Sequence, residues 1–413
     1  MSRHPVNLIT CALAAIGRGV RRLPAAGSGA VLAAVLVACG GGGGSTPPDN
    51  NPPPAATSFT SGTISGFGSV IVNGVRFDDS SAEVVDDDGE RHSQDDLELG
   101  AQVEIEASTV DRASGQGVAT LIRIGSELVG PVSAVDVASQ RLTVLGQQVE
   151  VGARTVFDDQ LTGGLAGISV DQVLEVHARF DAVQGLYRAT RIEAADAPST
   201  FKLRGPVAAL DAAGHTFQIG AATINYASAA DVTPQLANGV RVRVRLQTTP
   251  TAGQWIATRV DSGEREHEDH DDAEMTGLIT AWTSATQFSL DGLAVDARNA
   301  AFPDGQAGVV LGAQVEVEGA IVGGVLVATS VHVEDEEQEH ERGEDYELHG
   351  AITAVDALAH TFTLRGIVVA YNETTEWRDL ADSGLAVDVK VEVKGNLAAD
   401  GTRLDATRIS LED

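Results

Sequence analysis

Apolar and polar residues alternate with a period of two through most of the chain beyond residue 60. That alternation predicts strands with one buried face. It is clearest in QVEIEA at 102–107, VLEVHA at 173–178, RVRVRL at 241–246, QVEVEG at 314–319 and KVEVKG at 390–395. In the first of these, Val103 and Ile105 point one way and Gln102, Glu104 and Glu106 the other. The five segments are the same strand of one unit, repeated. Each unit opens on a glycine, at Gly62, Gly130, Gly205, Gly277 and Gly350, at spacings of 68, 75, 72 and 73 residues. A second glycine follows at a hairpin position, at Gly74, Gly146, Gly220, Gly292 and Gly366. In the first unit it sits in Asn73-Gly74, the preferred pair for a tight type I′ turn. Each unit closes on Ala-Thr: Ala119-Thr120, Ala189-Thr190, Ala257-Thr258, Ala328-Thr329 and Ala406-Thr407.

Several short strands that each bury one face must curl around a common core. Closure into a small barrel also removes exposed edges. The pattern therefore predicts an all-β chain: a tandem array of five small barrels, OB-like and about five-stranded, with a pair of small sheets per unit as the alternative. The expected boundaries are 61–127, 128–200, 201–261, 275–333 and 347–413. Between them lie two acidic, histidine-containing linkers, 262–274 (SGEREHEDHDDAE) and 334–346 (EDEEQEHERGEDY). Tighter joints are expected between the first three units and loose ones before the fourth and fifth. A unit of this size is marginal alone, so packing between neighbours is expected to help.

The run Gly66-Phe67-Gly68-Ser69-Val70-Ile71-Val72-Asn73-Gly74-Val75-Arg76-Phe77 resembles the opening motif of the bacterial domain-of-unknown-function family DUF5666. Leu99-Gly100-Ala101-Gln102-Val103-Glu104 and Leu311-Gly312-Ala313-Gln314-Val315-Glu316 are similar to it as well. The resemblance covers nearly all of 61–413, with units two and three departing most. It implies tandem copies in a secreted or lipid-anchored protein, and it brings no activity and no catalytic residues.

The first 38 residues change the picture from fold to address. AAGSGAVLAAVLVA at 25–38 follows Arg18, Arg21 and Arg22, the layout of a secretory signal. The run is shorter than the roughly 20 apolar residues a membrane span needs. It ends Leu36-Val37-Ala38-Cys39, which resembles a lipobox, so Cys39 is the expected lipidation site. Lipid on Cys39 would be the partner contact with the membrane. Gly40 at the next position resembles the outer-membrane sorting rule, so the expected location is an outer-membrane lipoprotein facing the periplasm or the surface. Residues 39–60 are rich in glycine and proline and form a tether. Cys11 and Cys39 are the two cysteines, which excludes a disulfide framework or a zinc–thiolate site in the mature chain.

Charge narrows the partners. The chain carries 28 Lys+Arg against 59 Asp+Glu, a net of -31, and removing the four arginines of the signal takes it to -35. Such a charge repels phosphate backbones, so nucleic acid is excluded as a partner. An envelope protein or a polysaccharide is the expected one. No nucleophile elbow, P-loop, dinucleotide glycine motif or metalloprotease helix motif occurs, which predicts a non-catalytic structural, scaffold or binding role with no cofactor. An uncharacterised envelope enzyme is the remote alternative. The other is divalent-metal binding through the acidic linkers, with His267, His270, Asp271, Asp272 and His340 as the candidate ligands. Carboxylate and imidazole together suit Zn²⁺, Ni²⁺ or Cu²⁺, and carboxylates alone suit Ca²⁺. Against this, the linkers also read as self-repelling spacers. Asp86-Asp87-Asp88-Gly89 echoes a calcium loop but has Val84 in place of the first ligand, and reads as a polar turn. The outward face of the fourth strand changes sign between copies: Gln102/Glu104/Glu106, Val173/Glu175/His177, Arg241/Arg243/Arg245, Gln314/Glu316/Glu318 and Lys390/Glu392/Lys394. That variation predicts solvated faces, with the alternative that the triple-arginine face takes an acidic neighbour, this chain's own linkers included.

Overall fold

In the computed structural model, residues 58–111, 114–195, 197–334 and 346–412 are described. Cys39, His340 and most of the 334–346 stretch lie outside them. The first unit has strands Ser58–Phe67, Val70–Val72, Val75–Asp78, Gln102–Ala107 and Gln116–Gly125. The first three form an antiparallel meander. The third pairs parallel with the fifth, the fifth antiparallel with the fourth, and the fourth antiparallel with the first. This closes the sheet in the order 1-2-3-5-4, as an OB-like barrel.

The same closed circuit recurs in every unit. Barrel two uses Leu128–Asp136, Arg141–Val144, Gln147–Phe157, Val173–Asp181 and Leu186–Ala194. Barrel three uses Phe201–Pro206 continued by Ala208–Asp211, then Thr216–Ile219, Ala222–Asn225, Arg241–Leu246 and Trp255–Ser262. Barrel four uses His270–Ser284, Gln287–Leu290, Leu293–Asp296, Gln314–Val322 and Val325–Val333. Barrel five uses Tyr346–Asp356, Thr361–Leu364, Ile367–Ala370, Lys390–Leu397 and Arg403–Leu411.

The repeated residues have repeated jobs. The fourth and fifth strands carry a bulge at one place in every barrel, after Glu106, His177, Arg245, Glu318 and Lys394. A bulge interrupts the ladder and leaves backbone groups without a strand partner. The threonine of each Ala-Thr pair supplies one. Thr120, Thr190, Thr258, Thr329 and Thr407 donate their hydroxyls to the carbonyls of those five residues at 2.9, 3.2, 3.2, 3.2 and 2.9 Å. The opening glycine meets the second strand at its turn. A Cβ on Gly130 would lie 2.4 Å from the Leu145 side chain, and one on Gly205 2.5 Å from Ile219. Asn73 and Gly74 both have positive φ, 51° and 78°, as a type I′ turn requires.

The barrels are neighbours in space in a different order from the sequence. Ser58–Ser61 of barrel one pair parallel with Asp272–Met275 of barrel four, and Phe59 enters the core of that barrel. Gly66 and Phe67 pair parallel with Glu347 and Leu348 of barrel five, and barrels one and five share one apolar core. Barrels two and three pair through Leu128–Val129 and Lys202–Leu203 and share another. The acidic stretch 262–274 therefore differs from the expected spacer. His270 to Glu274 open the first strand of barrel four, and residues 263–269 run along a cavity between barrels. Nor are barrels four and five loosely joined to the rest, since each adds a strand pairing to barrel one.

Candidate functional site

The fourth strand alternates because one face fills its own barrel. In barrels one, two and three side chains of the other face meet another barrel or the 263–269 segment, and the expectation of solvated faces is corrected there. Arg243 and Arg245 of barrel three reach Asp88 of barrel one at 3.3 and 2.5 Å, and Arg243 also donates to the Asp87 carbonyl. Arg241 and Arg204 grip the two oxygens of Glu127 at 2.8 and 3.0 Å. Glu104 of barrel one accepts from Arg265 at 2.8 Å, and Gln102 donates to Thr190 of barrel two at 3.1 Å. Lys394 of barrel five lies 3.1 Å from Glu347, which also takes Arg76 of barrel one at 2.5 Å and His349 at 2.6 Å.

The centre of the network is Asp87, in the turn that reads as a weak calcium loop. Its side chain is 3% exposed and lies 3.0 Å from Arg204, 2.7 Å from Arg265 and 3.9 Å from Lys202. Burial alone would push its pKa up; Arg204, Lys202, Arg265 and Arg243 outweigh it and hold the carboxyl at about 2. Asp88 and the Asp87 carbonyl are thus partners for Arg243 and Arg245 of the triple-arginine strand. That strand does take an acidic neighbour, and the neighbour is this turn.

Barrels one to four meet around a cavity of about 610 Å³. Arg123, Arg179, Arg204, Arg241 and Arg265 line it together with Asp87, Glu104, Glu127 and Asp291. Burial raises the Asp291 pKa, against the pull of Arg179 at 3.8 Å. The acidic segment 263–269 forms one wall, pinned by Arg265 and by Asp269, whose carboxylate accepts the Gly323 amide at 2.6 Å.

The candidate metal ligands are placed as follows. His267 and His270 flank the ring of Phe59, with centroids 4.9 and 5.5 Å away. Burial pushes the His267 ring down, towards its neutral form. Asp271 is exposed, and Asp272 accepts the Ser58 hydroxyl at 3.3 Å. Among the described residues, two groups of three have potential ligand atoms within 4.8 Å of one another: Glu274/Glu316/Glu318 and Glu347/His349/Glu392. Neither includes His267, His270, Asp271 or Asp272, and Glu347 already faces Arg76 and Lys394. Sequence reasoning passed over Glu127 and Arg204, took Asp87 as part of a polar turn and left Arg265 inside a spacer. Their one local signal is the triple-arginine strand, an unusual density of cations in a chain of net charge -31.

No curated protein matches the chain. Among solved structures it is similar to Drosophila Unr CSD456, at 13% identity, covering 53% of this chain and 99% of that one with a TM-score of 0.14. So low a score carries no argument, and the barrel assignment rests on the strand pairings above. The family pattern described as a domain of unknown function, DUF5666, matches residues 129–193, 192–261, 276–332 and 349–410. These four regions are barrels two to five. Barrel one lies outside the matches yet closes by the same circuit. By that match over most of its length, the chain belongs to the DUF5666 family and carries the domain in tandem.

Proposed function

We propose that this is a non-catalytic, lipid-anchored protein of the cell envelope, a structural or binding module held to the outer membrane through lipid on Cys39. Its expected partner is an envelope protein or a polysaccharide. The observation that carries the reading is the use made of charge. Side chains that could serve a reacting centre, Asp87, Glu127, Arg204 and Arg241 among them, are paired across barrel seams. Paired, buried ions favour one specific arrangement more than they add stability, which suits a scaffold that must hold a fixed shape. Two measurements test the proposal. Mass spectrometry of the membrane-derived chain is expected to find a diacylglyceryl group on Cys39, with Cys39→Ala moving the protein to the soluble fraction. The anchored reading fails if Cys39→Ala fractionates as the wild type does. The non-catalytic reading fails if the purified chain turns over a defined substrate and one point substitution abolishes that turnover.

A second reading, divalent-metal binding, retains one supporting observation: Nδ1 of His270 is buried without a hydrogen-bond partner, beside the ring that His267 also touches. Calorimetric titration of the chelator-treated chain with Zn²⁺, Ni²⁺ and Ca²⁺ tests it. Saturable binding lost on replacing His267, His270 and His340 with Ala supports it, and flat heats remove it.

A further inference from the structure

Barrels one and two meet at a seam where one histidine is engaged on both ring nitrogens. His177, on the fourth strand of barrel two, is 3% exposed. Its Nδ1 lies 2.7 Å from the carbonyl oxygen of Gly125, the last residue of barrel one. A carbonyl only accepts, so Nδ1 carries a proton. Its Nε2 lies 3.2 Å from Oε1 of Glu193, and the same oxygen accepts from Nε of Arg191 at 2.6 Å. An ionised carboxylate also only accepts, so Nε2 carries a proton too and the ring is an imidazolium. Arg191 extends the chain of contacts back to barrel one. It is 3% exposed, donates to the Leu99 carbonyl at 3.1 Å and faces the Glu98 carboxylate.

Four charges thus alternate across the seam: Glu98, Arg191, Glu193 and His177. Glu98 and the Leu99 and Gly125 carbonyls come from barrel one, and the other three from barrel two. Glu175, two residues away on the strand of His177, adds a further negative charge to its surroundings. Burial opposes a charged ring here, but the hydrogen bond and charge of Glu193, together with Glu175 and the Gly125 carbonyl, outweigh it and hold the His177 pKa above its ordinary value of 6.5. The same arrangement works in reverse on Glu193. Burial pushes it up, and His177 and Arg191 bring it down to about 2.

We infer that His177 is a proton-operated latch between barrels one and two: with both nitrogens protonated it closes the seam, and loss of the Nε2 proton opens it. The deprotonated ring would set its own lone pair against the Glu193 oxygen at 3.2 Å and leave one uncompensated negative charge beside the buried His177 and Arg191 side chains. Removing one partner of a buried, hydrogen-bonded charge pair is strongly destabilising. The direction follows from linkage. The closed state binds the proton more tightly than the open one, so the latch is fully engaged below the ordinary histidine value and is lost as pH rises through the closed-state value. Between the two, one proton changes the opening equilibrium by up to about tenfold per pH unit.

The test is amide hydrogen exchange on the full chain between pH 5.5 and 9, corrected for the intrinsic pH dependence of exchange and read at Leu99–Ala101 and Gly125–Glu127. It is combined with an NMR titration of the His177 ring. The latch predicts flat opening at the acid end, then a rise of up to about tenfold per pH unit, with His177 titrating above 6.5. His177→Gln, whose amide donates to Glu193 without titrating, is expected to remove the rise. Glu193→Gln is expected to move the His177 midpoint below that of the wild type and shift the rise with it, which keeps the test open if His177→Gln fails to fold. The inference is overturned if wild-type exchange stays flat, if His177 titrates at or below 6.5, or if either variant keeps the wild-type profile.

Discussion

Replacing Asp87 with Asn keeps the shape of the side chain and removes its charge from the place where barrels one and three are joined. The carboxyl is 3% exposed, so solvent screening takes little from its interactions. Its pKa of about 2, against an ordinary 3.8, corresponds to roughly 2–3 kcal/mol of folded-state stabilisation at neutral pH. The variant also leaves Arg204 and Arg265 without their shared anion, and breaking a buried pair from one side costs about 3–5 kcal/mol. The expected loss is therefore between about 2 and 5 kcal/mol, measured by urea unfolding at pH 7 followed by circular dichroism. The sign with pH is fixed as well. A depressed carboxylate pKa gives stability that is present above the unfolded value and lost as pH falls through the folded one. The gap between wild type and Asp87→Asn is thus expected to narrow between pH 4 and pH 2. A variant within about 0.5 kcal/mol of wild type at pH 7, the range of an ordinary surface change, would refute the reasoning. So would a gap that stays constant down to pH 2.

Three further outcomes are expected. Gly66→Ala would place a Cβ 2.3 Å from the Glu347 backbone oxygen, which no side-chain movement relieves. It should loosen barrel five from barrel one, seen as faster amide exchange at Glu347 and Leu348, while an unchanged rate there would contradict the strand pairing. Thr407→Val removes the hydroxyl that serves the Lys394 carbonyl and should cost about 1–2 kcal/mol in thermal or urea unfolding. A neutral result would show that water serves the bulge as well. Glu347→Gln takes the anion from Arg76, Lys394 and His349. Because those groups hold the carboxylate well below its usual range despite burial, the variant should raise exchange across the seam between barrels one and five on the order of a hundredfold, and no change would mean that the shared core alone holds it.

The barrel itself was legible in the sequence. Period-two alternation, the opening and hairpin glycines and the Ala-Thr pair mark each copy, and each proves to have a local physical cause. The purpose of the Ala-Thr pair was not legible, because it depends on a bulge in the pairing of the fourth and fifth strands, and period-two alternation does not mark a bulge. The outward faces were misread for a related reason. Alternation separates the inside of a barrel from its outside but says nothing about what covers the outside. Asp87 and Arg265 are 178 residues apart, and no local pattern connects them. The change of sign at the fourth strand, which suggests faces without a role, is what distinguishes five similar barrels from one another: Arg243 and Arg245 fit Asp88, while Glu104 fits Arg265. The histidines at 267 and 270 suit one face of a helix by spacing. His270 instead begins a strand and His267 lies in the segment before it, and both rings pack against Phe59.

Small-angle X-ray scattering from the chain beginning at Ser58 tests the central claim, that the barrels interlock through their charged faces. One interlocked body of that length should give a radius of gyration of about 21 Å. Five barrels strung on flexible linkers should give a clearly larger one, between that value and the roughly 70 Å of the unfolded chain, and such a value would contradict the account.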